Sequence, residues 1–437
     1  MKIRRPTVRW ELLEHHLEEA EFLWTQWEQA LWSPELTLSE VSDGDEGRLL
    51  AHLDALALGG PPAARRFLVP ALASEEPARI AVATWVLLSS EDPSGHDAVI
   101  KSLETTPDEA GPGILRALEL LARDDLHAAF LKRLPGLPPE VQAGIVRARR
   151  LQRLALPDTL SGDDALQAEA LRALPYVPRT ALGDTQVKRG LGHDSALVRD
   201  AALEVGLLFG SRDAWTVARE RAMSQEPSPR AALLSLAVAG DSKDLADLVG
   251  RLADEQVREE VIWALGFSGK PAAAETLLPL LHDEDWGLLA ASSFAAITGL
   301  PLAPPFILEE LSEEDAAEEE EDAEAPAPED LRETLPGPRV LPGRVDAHAV
   351  EHWWAGRRAS LTQTERYLRG TRLTAESLAT ALETEPMRRR PALAWEVALR
   401  SGGALFIEPR LWSHSQRQQA RTLVAQLTRG WNRLQSR

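Results

Sequence analysis

The sequence predicts an all-α solenoid, a fold in which helical hairpins stack side by side. Three observations predict it. A segment of about 30 residues recurs along the chain, each copy has the apolar spacing of two amphipathic helices, and a glycine follows the first helix of each copy. A single hairpin of this size cannot bury its apolar face alone, so the copies must stack on one another.

The clearest copy spans residues 257 to 281. From Val257 onward, apolar side chains recur at the spacing i, i+4, i+8, which places them on one face of a helix. Gly266 and Gly269 are expected to end this helix, because glycine readily takes the left-handed conformation found at helix ends. Pro271 is expected to begin the second helix, where its missing N–H costs nothing.

The same pattern recurs in register in the neighbouring copies. The matching apolar positions lie 31, 28 and 31 residues apart, at Val198, Pro229, Val257 and Leu288. The glycines that follow the first helices are Gly210, Gly240, Gly269 and Gly299. More degenerate copies precede them, so we assign the repeat solenoid to residues 45–300.

Residues 9 to 32 are predicted to form a strongly amphipathic helix, with a large apolar side chain every three or four positions. We interpret this helix, within an N-terminal region of residues 1–44, as a cap on the first repeat. The alternative is a docking surface, because tryptophan is favoured at binding hot spots. Trp24 and Trp27 are the candidate partner-binding residues on this helix.

The distribution of charged residues divides the chain after residue 300 into an acidic region and an arginine-rich region. The net charge is −20, and residues 301–330 hold 13 acids and no base. We therefore assign residues 301–340 to an acidic linker rich in proline and alanine, because such a composition buries too little apolar surface to fold. Residues 341–437 are predicted to form a smaller, arginine-rich helical domain.

Two clusters in the C-terminal domain are candidates for partner binding. The first is "HWWAGRR", where one of two adjacent tryptophans is expected to be exposed and the arginines could stack on a ring or hold carboxylates. The second is a compact positive spot that could meet an acidic partner or the linker itself. The residues of the two clusters are Trp353, Trp354, Arg357 and Arg358, and then Arg388, Arg389 and Arg390.

Catalytic and metal chemistry find little support in the sequence. The chain has no cysteine, which excludes disulfides and thiolate sites and fits a cytoplasmic protein. His348 and His352 have the i, i+4 spacing of a metal pair, but no third ligand is specified nearby. We predict no catalytic residue, no metal and no cofactor.

Nucleic acid and membrane are also disfavoured as partners. Residues 301–330 carry a charge of −13, and residues 331–437 carry 18 arginines against nine acids, or +9. Subtracting both from −20 leaves −16 on residues 1–300, and this negative charge repels the phosphates of nucleic acid. The uncharged run 287–308 is long enough to cross a bilayer. It contains Gly299 and three prolines, however, so we predict a buried helix followed by an extended tail.

The repeats resemble HEAT repeats of the short bacterial kind found in phycobilisome lyases. Five segments in order resemble an uncharacterised proteobacterial HEAT-repeat family: "HHLEEAEFLW", "LLAHLDALALGG", "WALGFSGKPAAAETLLPLL", "SFAAITGL" and "RYLRG". The resemblance covers nearly the whole chain and implies no catalytic residues. It implies an association with type VI secretion genes, and hence a cytoplasmic adaptor for a secretion effector or spike protein.

The leading functional prediction is therefore a non-catalytic scaffold that binds a protein client, since solenoids offer long concave surfaces. One alternative is a regulatory binder of polyanions or nucleic acid that acts through the basic C-terminal domain. A second is a HEAT-like enzyme, which the negative charge of the solenoid disfavours.

Overall fold

The structure is a computed structural model, and it describes residues 9–156, 162–224, 230–308, 335–340 and 343–430. Within these ranges the chain is almost entirely helical, and its strands are two antiparallel pairs of two residues each. The predicted all-α solenoid is confirmed. The acidic tract at 309–330 lies outside the described residues, and so does its suggested docking on arginines.

The helices form an inner and an outer series. The inner helices pack against one another in chain order: Trp10–Ala30, Pro77–Ser89, Pro107–Glu119, Pro139–Leu151, Asp164–Arg172, Ala196–Leu208, Arg230–Ala239, Arg258–Ser268 and Gly287–Thr298. The outer helices flank them: Asp45–Leu58, Pro93–Thr105, Asp124–Leu131, Ala181–Gly190, Arg212–Met223, Ser242–Gly250 and Pro271–Leu277. This alternation is what the 30-residue hairpin period predicts.

Shorter elements connect the two series. They are the helices Leu38–Asp43, Gly60–Ala63 and Val69–Ala71, the π-helical turn Ala64–Leu68, and the 3₁₀ turns Leu134–Gly136, Leu174–Tyr176, Arg251–Ala253 and Leu278–His282. The paired strands are Ile307–Leu308 with Arg344–Val345, and Tyr367–Leu368 with Thr371–Arg372.

The hairpin at 257–281 forms largely as predicted. Gly269 is left-handed and ends the first helix, and Pro271 occupies the first turn of the second. The expectation for Gly266 is wrong, because this residue continues the helix. A β-carbon there would lie 2.9 Å from Ser293, so the glycine allows the next inner helix to approach closely.

The glycines of the repeat differ in conformation. Gly210, Gly269 and Gly299 have φ angles of 67°, 66° and 78°, in the left-handed region. Gly240 also follows its helix, but it is not left-handed. The four copies therefore share a glycine just after the first helix, but the backbone conformation of that glycine differs among them.

We predict that Gly269→Val lowers the free energy of unfolding by at least about 1–2 kcal/mol, because a β-branched residue is strained in the left-handed region. The added β-carbon would also lie 2.7 Å from the carbonyl oxygen of Tyr367. Gly250→Ala is the control, since its added β-carbon would meet nothing within 4 Å beyond its chain neighbours and the backbone of its own helix. Urea unfolding measures both; equal midpoints would contradict the prediction.

The described part of the C-terminal region is helical, as predicted, and contains four α-helices: Ala347–Arg357, Ala375–Thr384, Arg390–Ser401 and Ser413–Gly430. The 3₁₀ turns Arg358–Ser360 and Met387–Arg389 lie between them. Left-handed Gly402 ends the third helix, as Gly269 and Gly299 end inner helices of the solenoid.

This region packs along the solenoid at both ends and in the middle. The backbone N–H of Met387 donates to the carbonyl of Leu36 over 2.8 Å, and that of Gly370 donates to Ile297 over 2.9 Å. Between these points, Trp395 Nε1 donates to Ser235 Oγ over 3.0 Å. The C-terminal region thus contacts the N-terminal end of the stack, its middle and its last inner helix.

The N-terminal contact is buried and built around tryptophan side chains. The ring of Trp412 lies 4.6 Å from that of Trp27 and 6.0 Å from that of Trp24, measured between centroids. Fully buried Glu46 accepts hydrogen bonds from Trp27 Nε1 (2.9 Å) and from the backbone N–H of His414 (2.9 Å). A carboxylate from the first repeat thereby satisfies the N-terminal turn of the last helix.

The uncharged run beginning at Gly287 forms the buried helix predicted for it, and this helix ends at left-handed Gly299. In the part of the chain that the structure describes, no helix combines the length and apolar character needed to cross a membrane.

Candidate functional site: the groove of the inner helices

The inner helices surround an open groove of about 1200 Å³. Its walls come from the inner helices between Trp10–Ala30 and Arg258–Ser268. Glu408 and Arg410 of the C-terminal region line it as well, and Leu335 lies at one edge. Because eight inner helices contribute side chains, together with Arg221 of the outer helix Arg212–Met223, the groove is a property of the whole stack and not of any one repeat.

Arginine–carboxylate pairs run along the groove and join its inner helices. We call this set the charge ladder; it comprises Glu28, Arg116, Glu119, Arg147, Arg150, Glu169, Arg172, Glu204, Arg230 and Glu260. Arg172, for example, donates from two nitrogens to the two oxygens of Glu204, over 2.8 and 3.2 Å. Such bidentate pairs fix both partners in orientation.

Glu119 is the centre of the ladder. Its side chain is 1% exposed and accepts hydrogen bonds from Arg116 Nη1 (3.0 Å), Arg147 Nε (2.7 Å) and Arg410 Nη2 (2.8 Å). Burial alone would raise the pKa of Glu119, but the three guanidinium charges outweigh it and hold that pKa far below its usual range. One carboxylate thus connects two inner helices with the C-terminal region.

The middle of the groove carries a second group of buried charges. Arg150 Nε donates to Glu169 over 3.2 Å, and Glu408 lies 3.9 Å from the same guanidinium. Burial tends to raise the pKa of Glu169, yet the charges of Arg150 and Arg172 lower it overall. The pKa of Glu408 is raised by its burial, which its arginine neighbours only partly offset.

The groove lining outside the ladder includes exposed acids and one exposed leucine. Leu197 is 55% exposed and faces the groove. Exposed Asp108, Glu140 and Glu259 lie in the first turns of their helices, where acids favour the helix dipole. The lining holds ten acids and seven arginines, and therefore a net charge of −3.

The structure corrects the predicted docking surface on the first helix. Trp24 and Trp27 are 1% and 0% exposed, because the C-terminal Trp412 covers them. They belong to the hydrophobic core, and a partner cannot reach them in this conformation.

The "HWWAGRR" cluster lies on the last two turns of the helix Ala347–Arg357 and continues into the 3₁₀ turn Arg358–Ser360. Trp354 is buried against Phe294, whereas Trp353 is half-buried. Exposed Arg357 lies over the ring of Trp353 at 5.5 Å, and exposed Arg358 approaches Glu275 to 2.6 Å. Both predicted roles of the arginines, stacking and holding a carboxylate, occur within the chain itself.

The predicted positive spot at Arg388–Arg390 is not a surface feature. Arg389 is 3% exposed and lies 4.2 Å above the ring of Phe267, and Arg390 is 1% exposed. Arg390 donates to the carbonyl of Leu382 over 2.6 Å. Arg388, which is half-buried, donates to the carbonyl of Gly337 over 2.7 Å. Buried arginines of this kind serve packing, so the prediction of an exposed cluster is corrected.

Other C-terminal arginines also have carboxylate partners within the chain. The pairs are Arg366 with Glu396, Arg369 with Glu385, Arg372 with Glu365, Arg410 with Glu119, and Arg417 with Asp43. These pairs reduce the positive charge that the region could present to a polyanion.

The sequence analysis missed the charge ladder. A signal for it exists, because an apolar–Arg–Ala triplet recurs around Arg116, Arg147 and Arg172 on successive inner helices. Arginine at a repeated position on the inner face of a stack is a pattern that local helix periodicity does not reveal.

Comparison with models of known protein families and with curated proteins finds no match for this chain.

Proposed function

We propose that this protein is a binding scaffold whose groove holds a basic segment of a client protein. The groove itself carries the proposal. At about 1200 Å³ it exceeds the range of about 300–1,000 Å³ usual for small-molecule pockets, and it runs across eight helices. A polypeptide segment is the kind of ligand that such a surface fits.

The charge ladder supports this proposal by fixing the groove before a client arrives. Its ion pairs join one helix to another and are largely desolvated, so the walls need little ordering on binding. The surplus of acids in the lining favours a client segment rich in lysine or arginine. Complementary charge would speed the encounter and make it sensitive to salt.

The cellular setting is part of the same proposal. The resemblance to the secretion-associated HEAT-repeat family suggests a cytoplasmic adaptor whose client is a type VI secretion effector or spike component. Binding without turnover agrees with a groove built from ion pairs and small apolar side chains.

We predict that Leu197→Arg weakens client binding at least tenfold, since it places a bulky like charge where the basic segment lies. Leu197 is 55% exposed, so the substitution should change the free energy of unfolding by no more than about 0.5 kcal/mol. The matched control is Leu182→Arg, on the outer helix Ala181–Gly190, where Leu182 is 68% exposed.

The measurement is affinity capture from the native host, followed by titration of the captured client with each variant. Equal affinities for the two variants would contradict the groove as the binding site. Recovery of nucleic acid without a protein client would favour the polyanion function instead, and turnover by the isolated protein would favour an enzyme.

A further inference from the structure

A cluster of metal-binding side chains lies where the C-terminal region meets the last hairpin. His282 ends the 3₁₀ turn Leu278–His282, and His348 and Glu351 lie three residues apart on the helix Ala347–Arg357. One ligand atom from each of the three lies within 4.8 Å of the others. These residues are distant in sequence, so the fold alone brings them together.

The distances suit a shared ion. Glu351 Oε1 lies 2.9 Å from His282 Nε2, and Glu351 Oε2 lies 3.5 Å from His348 Nδ1. Two atoms that bind the same tetrahedral ion at about 2.0–2.1 Å lie about 3.3 Å apart. The two observed separations involve different oxygens of Glu351, and the three ligand atoms lie within 4.8 Å of one another. A small rotation of His348, whose side chain is 88% exposed, would bring the set to that spacing.

We propose that His282, His348 and Glu351 form a binding site for a divalent transition metal ion, with Zn²⁺ as the best fit. Two imidazoles and one carboxylate match the ligand preference of zinc, whereas Ca²⁺ and Mg²⁺ prefer oxygen ligands alone. Water completes the fourth position, because the cluster is open to solvent.

The site would fasten the C-terminal region to the solenoid. His282 belongs to the solenoid, whereas His348 and Glu351 belong to the first C-terminal helix. As a hydrogen-bonded pair on an exposed surface, His282 and Glu351 stabilise this contact only weakly without an ion. An ion that binds only when all three side chains meet stabilises the folded state by its binding free energy.

The test is isothermal titration of the full chain with Zn²⁺ after treatment with a chelator. We expect one saturable site, a loss of at least tenfold in affinity for His348→Ala and for Glu351→Gln, and a rise in the thermal midpoint with Zn²⁺ that His348→Ala abolishes. Co²⁺ should give a visible absorption band in the wild type and not in His348→Ala.

Two controls make the assignment specific. His352→Ala removes an exposed histidine from the same helix as His348. His16→Ala removes one member of a second pair of neighbouring histidines, in which Nδ1 of His16 lies 3.1 Å from Nδ1 of His52. Both controls should bind Zn²⁺ like the wild type. No saturable binding, or binding that survives His348→Ala but not His16→Ala, would overturn the proposal.

Discussion

Replacing Glu119 with glutamine will lower the free energy of unfolding by about 3–5 kcal/mol, because it removes the one negative charge that three buried or half-buried guanidinium groups share. The amide also points N–H donors at groups that can only donate. Urea unfolding measures the effect. Glu104→Gln is the matched control, since Glu104 forms a largely exposed pair with Arg133 and should change stability by less than about 1 kcal/mol.

The wild type and Glu119→Gln should also differ in how their free energies of unfolding change in acid. The pKa of Glu119 is lower in the folded chain than its ordinary value of 4.5, so its ion pairs contribute fully above that pH. Their contribution is lost progressively as the pH falls below about 4.5. The gap in stability between wild type and Glu119→Gln should therefore narrow in acid, and a constant gap would contradict the role of the charge.

Trp412→Ala will destabilise the protein by about 3–5 kcal/mol, because it leaves a cavity where the C-terminal region meets the first repeat. Trp412 is 6% exposed and packs on Trp24, Trp27 and Trp85. The cavity also exposes Glu46, which holds the N-terminal turn of the last helix.

The control for this variant is Phe22→Ala. Phe22 lies on the first helix but is 57% exposed, so its removal should change stability by about 0.5 kcal/mol or less. Chemical denaturation compares the two variants, and limited proteolysis checks whether Trp412→Ala frees the last helix. Equal stabilities would show that the contact with the first repeat does not hold the C-terminal region in place.

Helices were the part of this fold that local sequence could predict. The periodic apolar spacing from Val257 and the glycines at 269 and 299 are short-range features, and the helices end at these two glycines. Gly266 shows the limit of this reasoning. Whether a glycine ends a helix or admits a neighbour depends on Ser293, which belongs to the next repeat.

The candidate sites depended on contacts that local patterns do not encode. Arg389 and Arg390 look like a charged surface in sequence, yet Phe267, Leu382 and other distant residues bury them. Trp24 and Trp27 look like an exposed stripe until Trp412 covers them. In each case tertiary packing decides whether a side chain serves the core or a partner.

Photo-crosslinking at Leu197 tests the central claim, that the groove binds a client, most directly. The full chain would carry a photoreactive amino acid at position 197, inside the groove, or at position 182, on an outer helix. After irradiation in host extract, we predict a specific protein adduct at position 197, mapped to a basic client segment, and a much weaker one at position 182. Adducts of equal yield at both positions, or an adduct at position 182 alone, would contradict the claim.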